Sequence, residues 1–150
     1  MEKREYKSYK TYTNHQSEKT KNISLSWDFE KKVTLFKKRF SLVKDYSSGK
    51  VLCLGARFGE EVVAFNSLGF EAFGIDLVPR ASNILKGDFN NLPFKSELFN
   101  VVYTNSLDHV YDIDLIFENV YRVLKEEGYF ILDLQFHTIR SIRKLFYIRY

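Results

Sequence analysis

Four polar stretches stand where apolar runs stop, and their residue types suit a nucleoside. Gly55-Ala56-Arg57-Phe58-Gly59 breaks the run Val51–Leu54, and Gly74-Ile75-Asp76 ends the next run in a carboxylate. Gly87-Asp88-Phe89 and Asn105-Ser106 follow a third and a fourth run. A carboxylate accepts two hydrogen bonds at once, which fits Asp76 to the vicinal hydroxyls of a ribose. A glycine loop lets backbone approach the group attached to that ribose. Asp88 beside Phe89 offers an acceptor for a purine amine and an aromatic wall for the ring. Asp108 and His109 form the obvious acid–base pair, because an imidazole titrates near neutrality. The loop lacks Gly-x-Gly-x-x-Gly, since Arg57 takes the middle position, and no Gly-Lys-Ser/Thr follows it. Dinucleotide pyrophosphates and nucleoside triphosphates are thereby disfavoured, and the class of adenosine-containing ligands stays open. Arg57 can pair with Glu60 or Glu61, or meet a ligand carboxylate.

The elements that must position these residues follow from periodicity. Phe29, Val33, Phe36, Phe40 and Val43 recur at spacings of four and three, which predicts a helix opening at Ser26-Trp27-Asp28 and ending near Tyr46. A strand over 50–54, a helix over about 59–68 with Val62, Val63 and Phe65 inward, and a strand from Phe70 to Ile75 make a right-handed βαβ unit. Ile84-Leu85 is a brief third strand, and the β-branched and aromatic run Phe99–Thr104 is a fourth. A helix capped by Asp112 or a near neighbour buries Ile113, Ile116, Phe117, Val120, Val123 and Leu124, and Gly128 stops it before a fifth strand, Tyr129–Leu134. This order predicts an α/β, Rossmann-like fold: an open, mostly parallel five-stranded sheet with helices on both faces. Ligands in such sheets sit over the carboxyl ends of the strands, where strand order reverses. The glycine loop, Asp76, Asp88 and Asn105-Ser106 all fall there.

With 150 residues the chain reads as one domain, and 45% apolar residues are enough for a core. The single cysteine, Cys53, lies in an apolar run, so neither a disulfide framework nor a metal centre is expected. No run reaches the roughly 20 apolar residues of a membrane span, no signal peptide is visible, and a cytoplasmic location is expected. The formal charge of +4 is uneven: residues 1–22 carry +3, residues 135–150 carry +4, and the body between carries −3. Residues 1–22 hold almost no aliphatic side chain and read as a disordered basic tail. Residues 23–150 read as the domain, with an N-terminal helix in 23–48, a core over 50–134 and a basic amphipathic helix over 135–150. Basic ends can attract nucleic acid or an anionic membrane, but solvated tails are the stronger reading.

Taken together, residues 50–134 resemble a class I S-adenosylmethionine-dependent methyltransferase of the small-molecule methyltransferase-domain type. Val51–Gly59 is similar to that family's first motif, V-L-[DE]-[LI]-G-x-G-x-G, and Gly74-Ile75-Asp76 to its second-strand acid. Gly87–Phe94 resembles G-D-x-x-x-L-P-F, Phe99–Val110 resembles F-D-V-V-x-x-x-x-V-L-E-H-V, and Tyr121–Phe130 resembles the R-V-L-K-P-G-G pattern. Each motif alone is a weak signal, whereas five in order and at the right spacing form a strong one. Cys53 stands where the family has an acid, Arg57 where it has a glycine, and the usual sixth and seventh strands are missing from the reading. A fifth strand left on an edge would invite pairing, so a homodimer through that edge is expected.

The resemblance implies S-adenosyl-L-methionine as cofactor and methyl transfer to an unidentified acceptor, a small molecule in the first instance. It assigns cofactor contact to Gly55, Ala56, Arg57, Gly59, Asp76, Leu77, Asp88, Phe89, Asn105 and Ser106. His109 and Asp108 are the catalytic candidates, and no metal is implied. Two other readings stand beside it. Cys53, Arg57 and the short sheet suit a non-catalytic methyltransferase-like binding or regulatory module. Nucleic-acid recognition through the basic ends is a weak third.

Overall fold

The structure is a computed structural model that describes residues 6–23, 28–41, 49–107, 110–136 and 142–149. Helices α1 (Tyr9–Lys21) and α2 (Phe29–Phe40) precede strand β1 (Lys50–Leu54), helix α3 (Glu60–Ser67), and strands β2 (Glu71–Asp76), β3 (Ile84–Lys86) and β4 (Phe99–Thr104). Helix α4 (Ile113–Val123) and strands β5 (Leu124–Phe136) and β6 (Ile142–Arg149) follow. The six strands form one sheet in the order β3-β2-β1-β4-β5-β6. β1 to β5 are mutually parallel, as expected of a Rossmann-like sheet, and β6 adds an antiparallel neighbour to β5.

A parallel sheet needs cover on both faces, and strand alternation divides the core accordingly. Val51, Cys53, Val101, Tyr103 and Ile131 face α2 and α3, where they meet Val33, Phe36, Phe40, Val62 and Phe65. Leu52, Leu54, Val102, Phe130 and Leu132 face the other way, onto Ile116, Val120 and Val123 of α4. Phe40 stacks on Phe65 with ring centroids 3.8 Å apart and meets the Tyr103 ring edge-on at 4.9 Å. Burying such a ring contributes on the order of 2–3 kcal/mol. Asp112 caps α4, its side chain accepting from the Leu115 N–H at 3.1 Å.

Several sequence expectations are corrected. Residues 9–21 of the expected disordered tail form α1, capped by Ser8, whose hydroxyl oxygen accepts from the Thr11 N–H at 3.2 Å. The helix has no aliphatic face; it docks instead through a tyrosine cluster in which Tyr12 meets Tyr6, Tyr9 and Tyr111. The expected C-terminal helix is strand β6 over 142–149, paired with β5 from Phe136↔Ile142 to Tyr129↔Arg149. That pairing covers the β5 edge on which dimerisation was expected and removes its premise. α4 ends at Val123 rather than before Gly128, because Leu124 is fully buried as a strand residue. The register then jumps from Phe99↔Leu124 to Val101↔Tyr129, with Glu127 at φ 60° in the bulge of β5 that absorbs the extra residues. In α3 the inward residues are Glu60, Glu61, Val62, Ala64 and Phe65, while Val63 is 38% exposed. α2 ends at Phe40, and the expected terminus near Tyr46 lies outside the described residues.

Candidate functional site

Strand order reverses at β1, which has β2 on one side and β4 on the other, so the carboxyl ends of these three strands frame a crevice. Gly55 opens the loop there at φ 81°. A Cβ at Gly55 would lie 2.7 Å from Ser106 Oγ and 3.4 Å from Phe89 Cζ, so the third and fourth polar stretches close over a residue without a side chain. The loop amides are spent inside the protein. Those of Gly55 and Ala56 both donate to the Ile75 carbonyl, at 2.9 and 3.3 Å, and that of Gly59 donates to the Ala56 carbonyl. The Arg57 N–H donates to Asp76 Oδ2 at 3.2 Å. The loop therefore gives the crevice its shape rather than a row of free donors.

Asp76 is only 7% exposed, and its other oxygen, Oδ1, accepts from the Val78 N–H at 2.7 Å. Two backbone donors fix the carboxylate plane, and each oxygen keeps one lone pair for a ligand. Asp88 is held differently. Its Oδ1 accepts from the Asn90 N–H and from Asn90 Nδ2, both at 2.9 Å, in an Asx turn, and its Oδ2 accepts from the Tyr9 hydroxyl. Burial, and then the Asp88 carboxylate, raise the Tyr9 phenol to about 12, so it stays a donor at neutral pH. Ser106 Oγ donates to Asn105 Oδ1 at 2.9 Å. The Thr104 hydroxyl donates to the Leu54 carbonyl at 3.2 Å, which ties the end of β4 to the end of β1.

The residues that line the crevice are Gly55, Arg57, Asp76, Leu77, Phe89 and Ser106 on the sheet side, and Tyr12, Gln16 and Thr20 on the side of α1. The structure thus brings six of the expected cofactor residues together. Asp88 flanks the lining next to Phe89, as does Asn105 through its bond to Ser106, whereas Gly59 packs against Ile84 at the start of β3, where a Cβ would lie 3.2 Å from Ile84 Cδ1. Ala56, 1% exposed, packs into the core below. Asp108 and His109 lie outside the described residues. Sequence reasoning missed the α1 wall. Its signal is the four-residue spacing of Tyr12, Gln16 and Thr20 behind the capping Ser8, a helical face made of polar atoms.

With α1 in place the crevice is a half-open cleft with free space of about 30 Å³, room for about two water molecules. Two polar atoms there have no hydrogen-bond partner, Arg57 Nε and Thr20 Oγ1. Arg57 pairs with neither Glu60 nor Glu61. Lys32 takes Glu60 instead, at 3.2 Å. Burial drives the Glu61 carboxyl up to about 8, more strongly than its own backbone N–H holds it down. Cys53, at the position where the family carries an acid, is fully buried on the α2–α3 face of the sheet, and burial pushes its thiol well up.

The family described as "Methyltransferase domain" matches residues 52–132, more than half of the chain. A candidate S-adenosyl-L-methionine-dependent methyltransferase from Methanococcus maripaludis shares the fold at a TM-score of 0.61 and 16% identity, covering 91% of this chain and 68% of its own. The phosphoethanolamine N-methyltransferase 2 of Haemonchus contortus, solved with phosphomonomethylethanolamine and S-adenosylhomocysteine, matches at 0.55 and 20% identity, covering 76% of this chain and 30% of its own. The glycopeptide N-methyltransferase MtfA, complexed with S-adenosyl-L-methionine, matches at 0.57 and 19% identity over 76% of this chain and 64% of its own. No curated protein matches. Among the described residues no helix is long and apolar enough to cross a membrane, and no cluster of His, Cys, Asp and Glu could hold a metal ion. The five parallel strands and the crevice at their reversal carry that family's fold, and the chain belongs to the methyltransferase-domain family.

Proposed function

We propose that the crevice binds S-adenosyl-L-methionine and that the chain transfers its methyl group to a small-molecule acceptor in the cytoplasm. The observation that carries this reading is the convergence of Gly55, Asp76, Phe89 and Ser106 on one cavity at the strand reversal of a methyltransferase-domain chain. The residues fit the cofactor. Asp76, with both oxygens oriented and one lone pair left on each, receives the ribose diol. Phe89 walls the adenine, and Asp88 takes its amine once the Tyr9 hydroxyl yields Oδ2. Gly55 admits the chain that joins ribose to the amino-acid end, with Asn105 and Ser106 beside it. Ala56 and Gly59 shape the loop from below and at its end.

When bound, the cofactor supplies a sulfonium methyl group, a strong electrophile. The protein's part is then to orient the acceptor and exclude water, which can provide several kcal/mol of rate acceleration. α1 does the excluding, since its tyrosine cluster roofs the crevice. Asp108 and His109, which follow β4 in sequence, supply the proton acceptor where the substrate needs one.

Calorimetric titration of the full chain with S-adenosyl-L-methionine tests the reading. Saturable binding that Asp76→Ala weakens at least tenfold supports it, and no binding at millimolar ligand overturns it. The burial of Cys53 away from the crevice favours the second reading, a non-catalytic methyltransferase-like module, because no acid from β1 reaches the ligand. Methyl transfer by the purified protein to any acceptor eliminates that reading.

A further inference from the structure

The segment that carries Asp88 and Phe89, residues 87–98 between β3 and β4, belongs to no strand or helix. Its backbone polar groups must therefore find partners elsewhere, and two side chains of α4 supply them. Asn119 Oδ1 accepts from the Leu92 N–H at 3.2 Å, and Asn119 Nδ2 donates to the Asn90 carbonyl at 3.0 Å. Arg122 lays its fork along the same stretch, Nη2 donating to the Leu92 carbonyl at 2.7 Å and Nη1 to the Phe94 carbonyl at 2.6 Å. The two residues stand three apart on one side of the helix, where Arg122 Nη2 also donates to Asn119 Oδ1 at 3.2 Å. Asn119 Nδ2 gives its other proton to the Leu115 carbonyl at 3.0 Å, so every hydrogen-bonding direction of that amide is engaged. Neither residue lines the crevice.

We infer that Asn119 and Arg122 are positioning residues that set which base the crevice accepts. Under the proposed function, on which this inference rests, Asp88 takes the amine and Phe89 walls the ring. Both ride on the loop that α4 clamps. The ribose falls to Asp76 at the end of β2, and Gly55 follows β1; the clamp bonds to neither. Loosening the clamp therefore acts on the part of the binding that depends on the base. Selective recognition needs the recognising group held to within about 0.5 Å by neighbours that are themselves fixed. Asn119 is fixed by its saturated amide. Arg122 is fixed by a planar fork spread over two carbonyls, with charge-assisted bonds that the ammonium of a lysine cannot match in geometry. Arg122 opens the stretch that resembles R-V-L-K-P-G-G, and it thus acts on ligand choice from outside the crevice.

Equilibrium titration of the full chain with S-adenosyl-L-homocysteine and with S-inosyl-L-homocysteine is the test. The second ligand carries a carbonyl oxygen in place of the amine and offers Asp88 no donor at that position. The wild type should prefer the adenosyl ligand by about tenfold or more, the worth of one charge-assisted hydrogen bond. Asn119→Ala and Arg122→Lys should each bring that ratio to within about threefold, by weakening the adenosyl ligand alone. Glu118→Gln, exposed on the same helix, should keep the wild-type ratio. A purely structural clamp weakens both ligands equally, so a ratio retained in both Asn119→Ala and Arg122→Lys overturns the inference and leaves the S-adenosylmethionine reading intact. A shift in Glu118→Gln as large as theirs overturns it as well, and so does a wild-type ratio near one. Amide hydrogen exchange on the wild type needs no variant. Without ligand, the Leu92 N–H should exchange more slowly than an open amide by about tenfold or more, and exchange at the open-amide rate overturns the inference. Failure of the wild type to bind either ligand overturns the S-adenosylmethionine reading itself.

Discussion

Glu61 gives the fold a pH dependence of unusual sign. It lies in the first turn of α3, is 3% exposed, and is driven by burial from an ordinary 4.5 to about 8. Glu60 and Asp76 reinforce the rise, and its own backbone N–H and Lys32 oppose it. The folded chain therefore keeps a proton that the unfolded chain releases above pH 4.5. This group's contribution is fully present below pH 4.5 and is lost as the pH climbs through about 8. Each pH unit across that window removes about 1.4 kcal/mol, or on the order of 4–5 kcal/mol over the whole of it. Glu61→Gln keeps the shape and cannot ionise. Urea unfolding of both proteins from pH 4.5 to 8.5 should show the variant gaining on the wild type steadily, by roughly 3 kcal/mol at pH 7. Subtracting the two curves cancels the titrating groups that do not interact with Glu61. A flat difference across that range would refute the reasoning, because it would mean that Glu61 ionises in the folded protein as it does in the unfolded one.

Other expectations follow from neighbouring contacts. Asp133 is buried and is held by Arg39 at 2.6 Å and by the Tyr103 hydroxyl at 3.1 Å, so Arg39→Met should cost about 3 kcal/mol in chemical denaturation and Tyr103→Phe only about 1. Similar losses for the two variants would show that the ion pair does not balance the carboxylate. Gly55→Ala, with its Cβ 2.7 Å from Ser106 Oγ and its φ at 81°, should lose about 1–3 kcal/mol, part of which Ser106→Gly restores. Additive losses in the double mutant would place the strain elsewhere. Tyr9→Phe frees Asp88 Oδ2, so stopped-flow mixing should show S-adenosylmethionine associating several-fold faster; an unchanged rate would mean that the bond does not gate entry.

The sheet was legible because its strands carry their own signal. The run Phe99–Thr104 is β-branched or aromatic at every position but Asn100, and Asn100 is also the one residue of β4 that is not buried. The site was legible for a related reason: Gly55, Asp76 and Ser106 follow directly from strand ends that pairing brings side by side. α1 was hidden because its stability comes from distant rings, Tyr12 against Tyr111, and not from a local apolar stripe. β6 was hidden by ambiguity. Ile142, Leu145 and Phe146 fit a helix face, but Ile, Phe and Tyr also favour strands, and the open side of β5 decided the matter. Glu61 was hidden because a glutamate after a glycine loop reads as a first-turn acid facing solvent. The packing of α3 between α2 and the sheet buries it, within reach of Lys32, Cys53 and Tyr103.

The hydrogen bonds inside the loop also bear on which metabolites this crevice turns away. Nucleotides bearing phosphates are abundant competitors for any adenosine site, and proteins that bind them present unspent backbone N–H groups to the phosphate oxygens. Here Ile75 and Asp76 have consumed the N–H groups of Gly55, Ala56 and Arg57, and the carboxylates of Asp76 and Asp88 stand nearby. A polyphosphate would find repulsion where it needs donors. Discrimination against such nucleotides is thereby built into the way the loop satisfies itself, before any ligand arrives.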